Sequence, residues 1–197
     1  MPGAPTRASA GFFAAGDLTT MSILKRLFGA RDDRVALRPL YATIVERGRD
    51  PAWYAQGGVP DTLDGRFDMV ATMLSLVLIR LEREGDPGRL PSTLLTEIFV
   101  EDMDGQLRQL GIGDIIVGKH IGKMMAALGG RLGAYREAGA GETGLEDALI
   151  RNLWRGAPGA DARPSFVAQS VGRFERDLAR VTMEDILAGD LPGLVYA

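Results

Sequence analysis

Apolar residues recur along most of the chain at the spacing of one face of an α-helix. The clearest case is a central stretch that begins near Arg66 and ends at the loop Gly85-Asp86-Pro87-Gly88. One set of apolar residues recurs at the spacing of a helix face. A second apolar set lies beside it, so the predicted helix has almost no polar face. Such a helix is typical of the middle of a helical bundle. The two sets are Phe67, Val70, Leu74, Val77, Leu78 and Leu81, and Met69, Met73, Leu76 and Ile79.

The same spacing predicts two helical segments before this central helix. One begins at Pro39, where proline suits the first turn, and ends at Gly48. After Asp50-Pro51, a single turn carries two aromatic residues, Trp53 and Tyr54. These segments place an aromatic turn directly before the loop that leads into the central helix.

Further helices are predicted after the central one. One begins at Pro91-Ser92. The next begins at Asp114, an expected N-cap, is weakened or bent at Gly129-Gly130 and continues helically from Arg131 to Ala138. Shorter helices cover 145–153 and 166–178, and a final turn opens at Thr182. The strand-type alternation of polar and apolar residues is missing from the sequence. We therefore predict an all-α fold, a single compact multi-helix domain around a central buried helix.

Composition divides the chain into three parts. Residues 1–20 are rich in Ala, Gly, Pro, Ser and Thr, and we expect a disordered N-terminal extension. Residues 21–35 form a short basic amphipathic segment, which either docks on the domain or contacts an anionic membrane surface. Residues 36–197 make up the helical domain. The longest apolar run, Met69 to Ile79, is too short to span a bilayer and contains Thr72 and Ser75.

Composition also excludes several classes of function. With 23 basic and 26 acidic residues, the net charge is −3, which argues against direct nucleic-acid binding. The sequence has no cysteine and one histidine, His120, so thiolate metal sites, cysteine nucleophiles and sites built from two histidines are excluded. We predict no catalytic residue, no metal and no cofactor. His120 is interpreted as a surface or packing residue, since a haem ligand would need an apolar pocket around it.

An acidic cluster on the predicted helix after Pro91 has two interpretations. The first is a solvated helix face, which either pairs with basic residues of the following helix or meets a basic surface of a partner, and the second is a divalent metal site. A metal site normally needs a second converging acidic cluster, and the sequence offers none, so the solvated face is favoured. The acidic residues are Glu97, Glu101, Asp102 and Asp104, and the expected basic counterparts are Lys119, Lys123, Arg131 and Arg136.

The loop before the central helix, 59–69, reads Val-Pro-Asp-Thr-Leu-Asp-Gly-Arg-Phe-Asp-Met. Pro60-Asp61 and Asp64-Gly65 are turn formers, and either Thr62 or Asp64 can cap the helix. With the aromatic turn before it, this loop resembles the ubiquinol–cytochrome c chaperones. Two more blocks, 102–119 and 130–135, follow in the same order, so the resemblance covers about residues 35–190. The chain departs from the family at Thr72-Met73, where a histidine is often found.

The resemblance implies a non-enzymatic chaperone that binds newly made cytochrome b during assembly of respiratory complex III. It further implies a position on the cytoplasmic side of the inner membrane, or on the matrix side in mitochondrial relatives. The candidate partner surface comprises Trp53, Tyr54, Asp61, Arg66, Asp68, Arg131 and Tyr135.

Other interpretations remain open at this point. Arg66 and Arg131 are equally well explained as internal ion-pair anchors for Asp104 or Asp114. The alternative functions are a helical module that binds another apolar client and a metal-dependent enzyme built on the acidic cluster.

Overall fold

The structure is a computed structural model that describes residues 33–109, 111 and 114–196. The predicted disordered extension, 1–20, and nearly all of the amphipathic segment, 21–35, lie outside the described residues. Arg34–Ala197 forms one compact unit. Its helices are α1 (Arg38–Gly48), α2 (Pro51–Ala55), α3 (Leu63–Glu82), α4 (Asp86–Gln109), α5 (Asp114–Gly139), α6 (Leu145–Leu153), α7 (Pro164–Leu178) and α8 (Met183–Ala188). The described residues contain no strand, and the all-α prediction is confirmed.

Helix α3 is the central buried helix that the periodicity predicts. It packs against α1, α4, α5, α6 and α7. Its apolar residues from Met69 to Ile79 are buried, as are Thr72 and Ser75. Each of these two hydroxyls donates to the carbonyl one turn earlier, at 2.8 Å from Thr72 to Asp68 and 2.7 Å from Ser75 to Ala71. The helix therefore buries two polar side chains without leaving their hydroxyls unpaired.

Two of the predicted helix limits are wrong. Helix α3 begins at Leu63, one turn before Arg66, because the hydroxyl of Thr62 accepts a hydrogen bond from the Gly65 N–H at 3.1 Å and caps the helix. Helix α4 begins at Asp86, so Pro91 lies inside it. This early proline removes only the hydrogen bond to the Pro87 carbonyl, which the helix tolerates.

Helix α5 continues through Gly129-Gly130 to Gly139, in agreement with the predicted helical continuation over 131–138. Leu128, Arg131 and Tyr135 flank or follow the glycines and are all buried. Their tertiary contacts outweigh the weak helix propensity of two glycines, about 1 kcal/mol each.

The aromatic turn α2 is attached to the end of α1. The indole N–H of Trp53 donates to the Arg47 carbonyl at 2.8 Å, and the Tyr54 hydroxyl donates to the Gly48 carbonyl at 2.9 Å. Carbonyls in the last turn of a helix have no partner within the helix. The two aromatic side chains supply partners there and fix the direction of the chain into the loop before α3.

Candidate functional site

An open cleft lies where the start of α3, the end of α4 and the middle of α5 meet. It encloses about 340 Å³. Its floor is apolar, and its rim carries charged and polar side chains from four segments of the chain. The apolar residues are Leu63, Phe67, Val70, Met103, Leu107 and Met124, and the polar ones are Arg49, Asp64, Arg66, Gln106 and His120. An apolar depression with a polar rim is the usual form of a surface that binds a protein segment or a small apolar ligand.

The loop before α3 forms one edge of the cleft, and its conformation depends on Gly65. A Cβ atom at Gly65 would lie 1.9 Å from the Pro60 carbonyl oxygen, so only glycine permits this close approach. The Arg66 Nε donates to the Asp61 carboxylate at 2.6 Å across the same loop. This hydrogen bond lowers the pKa of Asp61. Both side chains are more than half exposed, so the pair orients Arg66 at the rim and adds little stability.

A buried charge network lies beneath the cleft. The Asp68 carboxylate accepts hydrogen bonds from Arg131 and, at 2.7 Å, from Arg155. The Asp68 and Arg131 side chains are both almost fully buried, whereas Arg155 is 61% exposed. Burial raises the pKa of Asp68, and the two guanidinium groups oppose that rise. The Arg131 guanidinium also lies 5.6 Å from the ring centre of Phe67, so the network supports a residue of the cleft floor.

A second buried pair adjoins this network. The hydroxyls of Thr72 and Tyr135 lie 3.0 Å apart and share a hydrogen bond between α3 and α5. Burial raises the pKa of Tyr135 to about 12. The phenol is therefore neutral at ordinary pH and serves as a structural contact between the two helices that border the cleft.

The structure separates the predicted partner-surface residues into two groups. Arg66 is exposed at the rim, and the exposed Asp61 and the partly buried Tyr54 line a neighbouring depression with it. The other four are buried, so their side chains do not form an accessible surface in this structure. They are Trp53, Asp68, Arg131 and Tyr135. The three buried polar side chains have partners in the core, which explains their burial without a contact to another protein.

Arg131 forms an internal ion pair, as the alternative interpretation predicts. Its partner is Asp68, however, and not Asp104, and the side chain of Asp114 is not among those that the structure describes. Arg66 pairs with Asp61 in the adjacent loop. The sequence distance between Asp68 and Arg131 explains the error, since 63 residues separate them and local periodicity carries no information about such a contact.

The acidic cluster of α4 is engaged in pairs, but with other partners than predicted. Glu101 lies 3.0 Å from Arg34 and 3.5 Å from Arg38. Asp102 accepts a hydrogen bond from the Tyr41 hydroxyl at 2.7 Å. These partners belong to α1 and the residues just before it, because α1 packs on α4. Two of the expected counterparts pair elsewhere, Arg131 with Asp68 and Arg136 with Glu82.

The described part of the chain contains no cluster of three or more histidine or acidic residues that could hold a metal ion. Among the same residues, no helix is long and apolar enough to cross a membrane. His120 lies on the rim of the cleft and is exposed. It is therefore not enclosed in the apolar pocket that a haem ligand requires.

Sequence analysis missed most of the cleft floor. Helical periodicity alone places Phe67, Met103, Leu107 and Met124 in the core, and it does not show that the same residues also line an open cleft. Leu63 gave a usable signal, because a large apolar residue lies there between the polar residues Thr62 and Asp64 at the start of the helix. It is 53% exposed.

Together, these features define an all-α protein with an open, mainly apolar cleft at the junction of three helices. The chain belongs to the ubiquinol-cytochrome C chaperone family, whose model matches residues 55–192. The crystal structure of the Cbp3 homolog from Brucella abortus is similar, with a TM-score of 0.71 and 29% sequence identity over 87% of this chain and 94% of that chain. Curated proteins give no significant match. The resemblance noted in the sequence is thus confirmed.

Proposed function

We propose that this protein is a non-enzymatic assembly chaperone that binds newly made cytochrome b before its incorporation into respiratory complex III. Family membership supports the class of function, a chaperone of complex III assembly. The observation that carries the finer proposal is the apolar cleft, because a chaperone needs a surface on which an unassembled client can cover apolar side chains. Cytochrome b is a membrane protein, so we place the chaperone at the cytoplasmic face of the inner membrane.

The composition of the cleft suits a client that is released later. Two of the residues lining it, Met103 and Met124, have flexible side chains that adapt to different apolar shapes. Burying one leucine-sized client side chain contributes about 1.5–3 kcal/mol. A cleft of this size accepts only a few such side chains, which gives binding that is specific and still reversible.

The proposed client surface keeps three of the residues suggested by the sequence, Tyr54, Asp61 and Arg66, and adds the cleft floor. Trp53 is assigned a supporting role, because its side chain is 0% exposed. Asp68, Arg131 and Tyr135 are assigned the same role, since they hold α3 and α5 together beneath the floor.

Leu63 and Leu90 provide a matched pair of variants for testing the proposal. Both are exposed leucines near a helix N-terminus, at 53% and 55%, but only Leu63 lines the cleft. An aspartate near a helix N-terminus is compatible with the helix dipole, so both variants are expected to fold. In Leu63→Asp, a charge replaces an apolar contact of the client.

The experiment is purification of the tagged full chain from its native cell after crosslinking, with bound proteins identified by mass spectrometry. We expect cytochrome b with the unmodified protein and with Leu90→Asp, and a loss of at least about tenfold with Leu63→Asp, since one apolar contact and a buried charge exceed 1.4 kcal/mol. Recovery of another partner in place of cytochrome b would refute the client. Equal recovery with both variants would refute the cleft as its binding site.

A further inference from the structure

Arg49 lines the cleft and two depressions beside it. It follows α1 and lines the cleft itself. It also lines two neighbouring depressions, one beside Tyr54, of about 500 Å³, and one between α1 and α4, of about 750 Å³. The three depressions therefore adjoin at this side chain.

The guanidinium group of Arg49 is exposed and has no hydrogen-bond or ion-pair partner among residues 33–109, 111 and 114–196. The two other arginines that line these depressions are engaged, Arg66 with Asp61 and Arg38 with Glu101. The positive charge of Arg49 also acts on Tyr41 and Tyr54, where it opposes the rise in pKa that burial causes. Its charge therefore reaches both depressions, and its donors remain unused.

The acidic groups nearby do not satisfy this arginine. Asp61 is held by Arg66, and Asp102 accepts hydrogen bonds from Tyr41 and Gln106. Asp64 lines the cleft but forms no ion pair with Arg49 within 4.0 Å. A free guanidinium next to an apolar floor is suited to a carboxylate, which it can bind through two parallel hydrogen bonds.

We propose that Arg49 anchors a carboxylate of the bound client, so that the cleft selects a peptide segment in which an aspartate or glutamate adjoins apolar side chains. The inference rests on the proposed function and specifies the chemistry of its client. The apolar side chains fill the cleft floor, and the backbone continues into the depressions on either side of Arg49. The extent of these depressions favours a peptide over a single acyl chain, because one acyl chain would occupy only the apolar cleft.

The test uses the full chain and an array of overlapping peptides that cover the cytochrome b of the same cell. We expect retained peptides to carry an acidic residue beside at least two apolar ones. Arg49→Gln should weaken their binding about tenfold or more, since a hydrogen bond to a charged group contributes 1.5–3 kcal/mol. Replacing the acidic residue of the peptide by its amide should have the same effect, with no further loss when both changes are combined.

Arg89→Gln is the control, because Arg89 is an exposed arginine that does not line the cleft. The inference is overturned if Arg49→Gln and Arg89→Gln bind the peptides equally well, or if no peptide is retained. It is also overturned if only vesicles of phosphatidylglycerol bind in a manner that depends on Arg49, since the occupant would then be a lipid. If cytochrome b co-purifies normally with Arg49→Gln but not with Leu63→Asp, this inference fails and the proposed function stands.

Discussion

The buried pair between Asp68 and Arg131 allows a quantitative test of how the core supports the cleft. Asp68→Asn keeps the size of the side chain and removes its charge. The Arg131 guanidinium then remains buried with the Asn152 carbonyl, at 3.3 Å, and the Phe67 ring as its neighbours. Neither neighbour supplies a negative charge. Removing one partner of a buried ion pair typically costs 3–5 kcal/mol, and we expect a loss in this range.

Replacing Arg131, the other partner of the pair, should lower the free energy of unfolding by less than Asp68→Asn does. In Arg131→Met, Asp68 keeps Arg155 at 2.7 Å, and this second arginine is largely exposed. The carboxylate thus retains a counter-charge, while methionine preserves part of the packing on Phe67. The expected loss is about 2 kcal/mol, the contribution of a hydrogen bond to a charged group. The double variant should lose less stability than the two single variants added together. Asp68→Asn alone leaves the Arg131 guanidinium unpaired, and in the double variant that guanidinium is absent.

The assay is urea unfolding at pH 7, followed by far-ultraviolet circular dichroism, with the free energy of unfolding obtained by linear extrapolation. The reasoning would be refuted if Asp68→Asn cost less than about 1 kcal/mol, the range of an exposed pair. It would also be refuted if Arg131→Met cost more than Asp68→Asn, or if the two losses were additive.

Two further predictions concern aromatic residues. Trp53→Ala should destabilise the fold by about 3–5 kcal/mol, because it empties a fully buried site and breaks the hydrogen bond to Arg47; a loss of client binding with unchanged urea stability would show instead that Trp53 acts at the surface. Tyr135 keeps its proton to about pH 12 when folded, against about 10 when unfolded, so its contribution to stability is complete below pH 10 and is lost between pH 10 and 12. Tyr135→Phe should therefore be less stable than the unmodified protein at pH 7 by about 1 kcal/mol, because it loses the hydrogen bond to Thr72. This difference in stability should shrink above pH 10. If the urea stabilities of the two proteins changed in parallel between pH 10 and 12, the structural role assigned to the neutral Tyr135 phenol would be contradicted.

The architecture could be predicted largely from sequence, because it depends on local signals. The apolar run from Met69 to Ile79 allows no position for α3 other than the centre of a bundle. Thr62 is one of the two caps that the loop sequence offered, and it is the one used. Helix limits were wrong where a side-chain cap sets the start, as Thr62 does for α3, or where a proline lies inside the helix, as Pro91 does in α4.

The site could be predicted only in part, because its composition depends on which helices become neighbours. Trp53 lies in a single helical turn, whose sequence does not show which side is buried, and its contacts with the carbonyl of Arg47 and the ring of Tyr196 explain why it is buried. Asp68 and Arg155 are 87 residues apart, and no local pattern connects them. Asp61 and Arg66 are only five positions apart, so a local turn brings them together, and both are exposed, as a partner surface requires.

The two sides of the cleft are held in different ways, and this difference bears on how the protein can bind and release a client. Phe67 is fixed from below, by Arg131 and by the ring of Phe99 at 5.8 Å. Met124 and His120 lie on the opposite side, and neither is fully buried. A rigid aromatic floor facing an adaptable methionine suits a client whose register must be fixed while its side chains vary. Changes beneath Phe67 should therefore alter stability and binding together, whereas changes at Leu63 and Arg49 should alter binding alone.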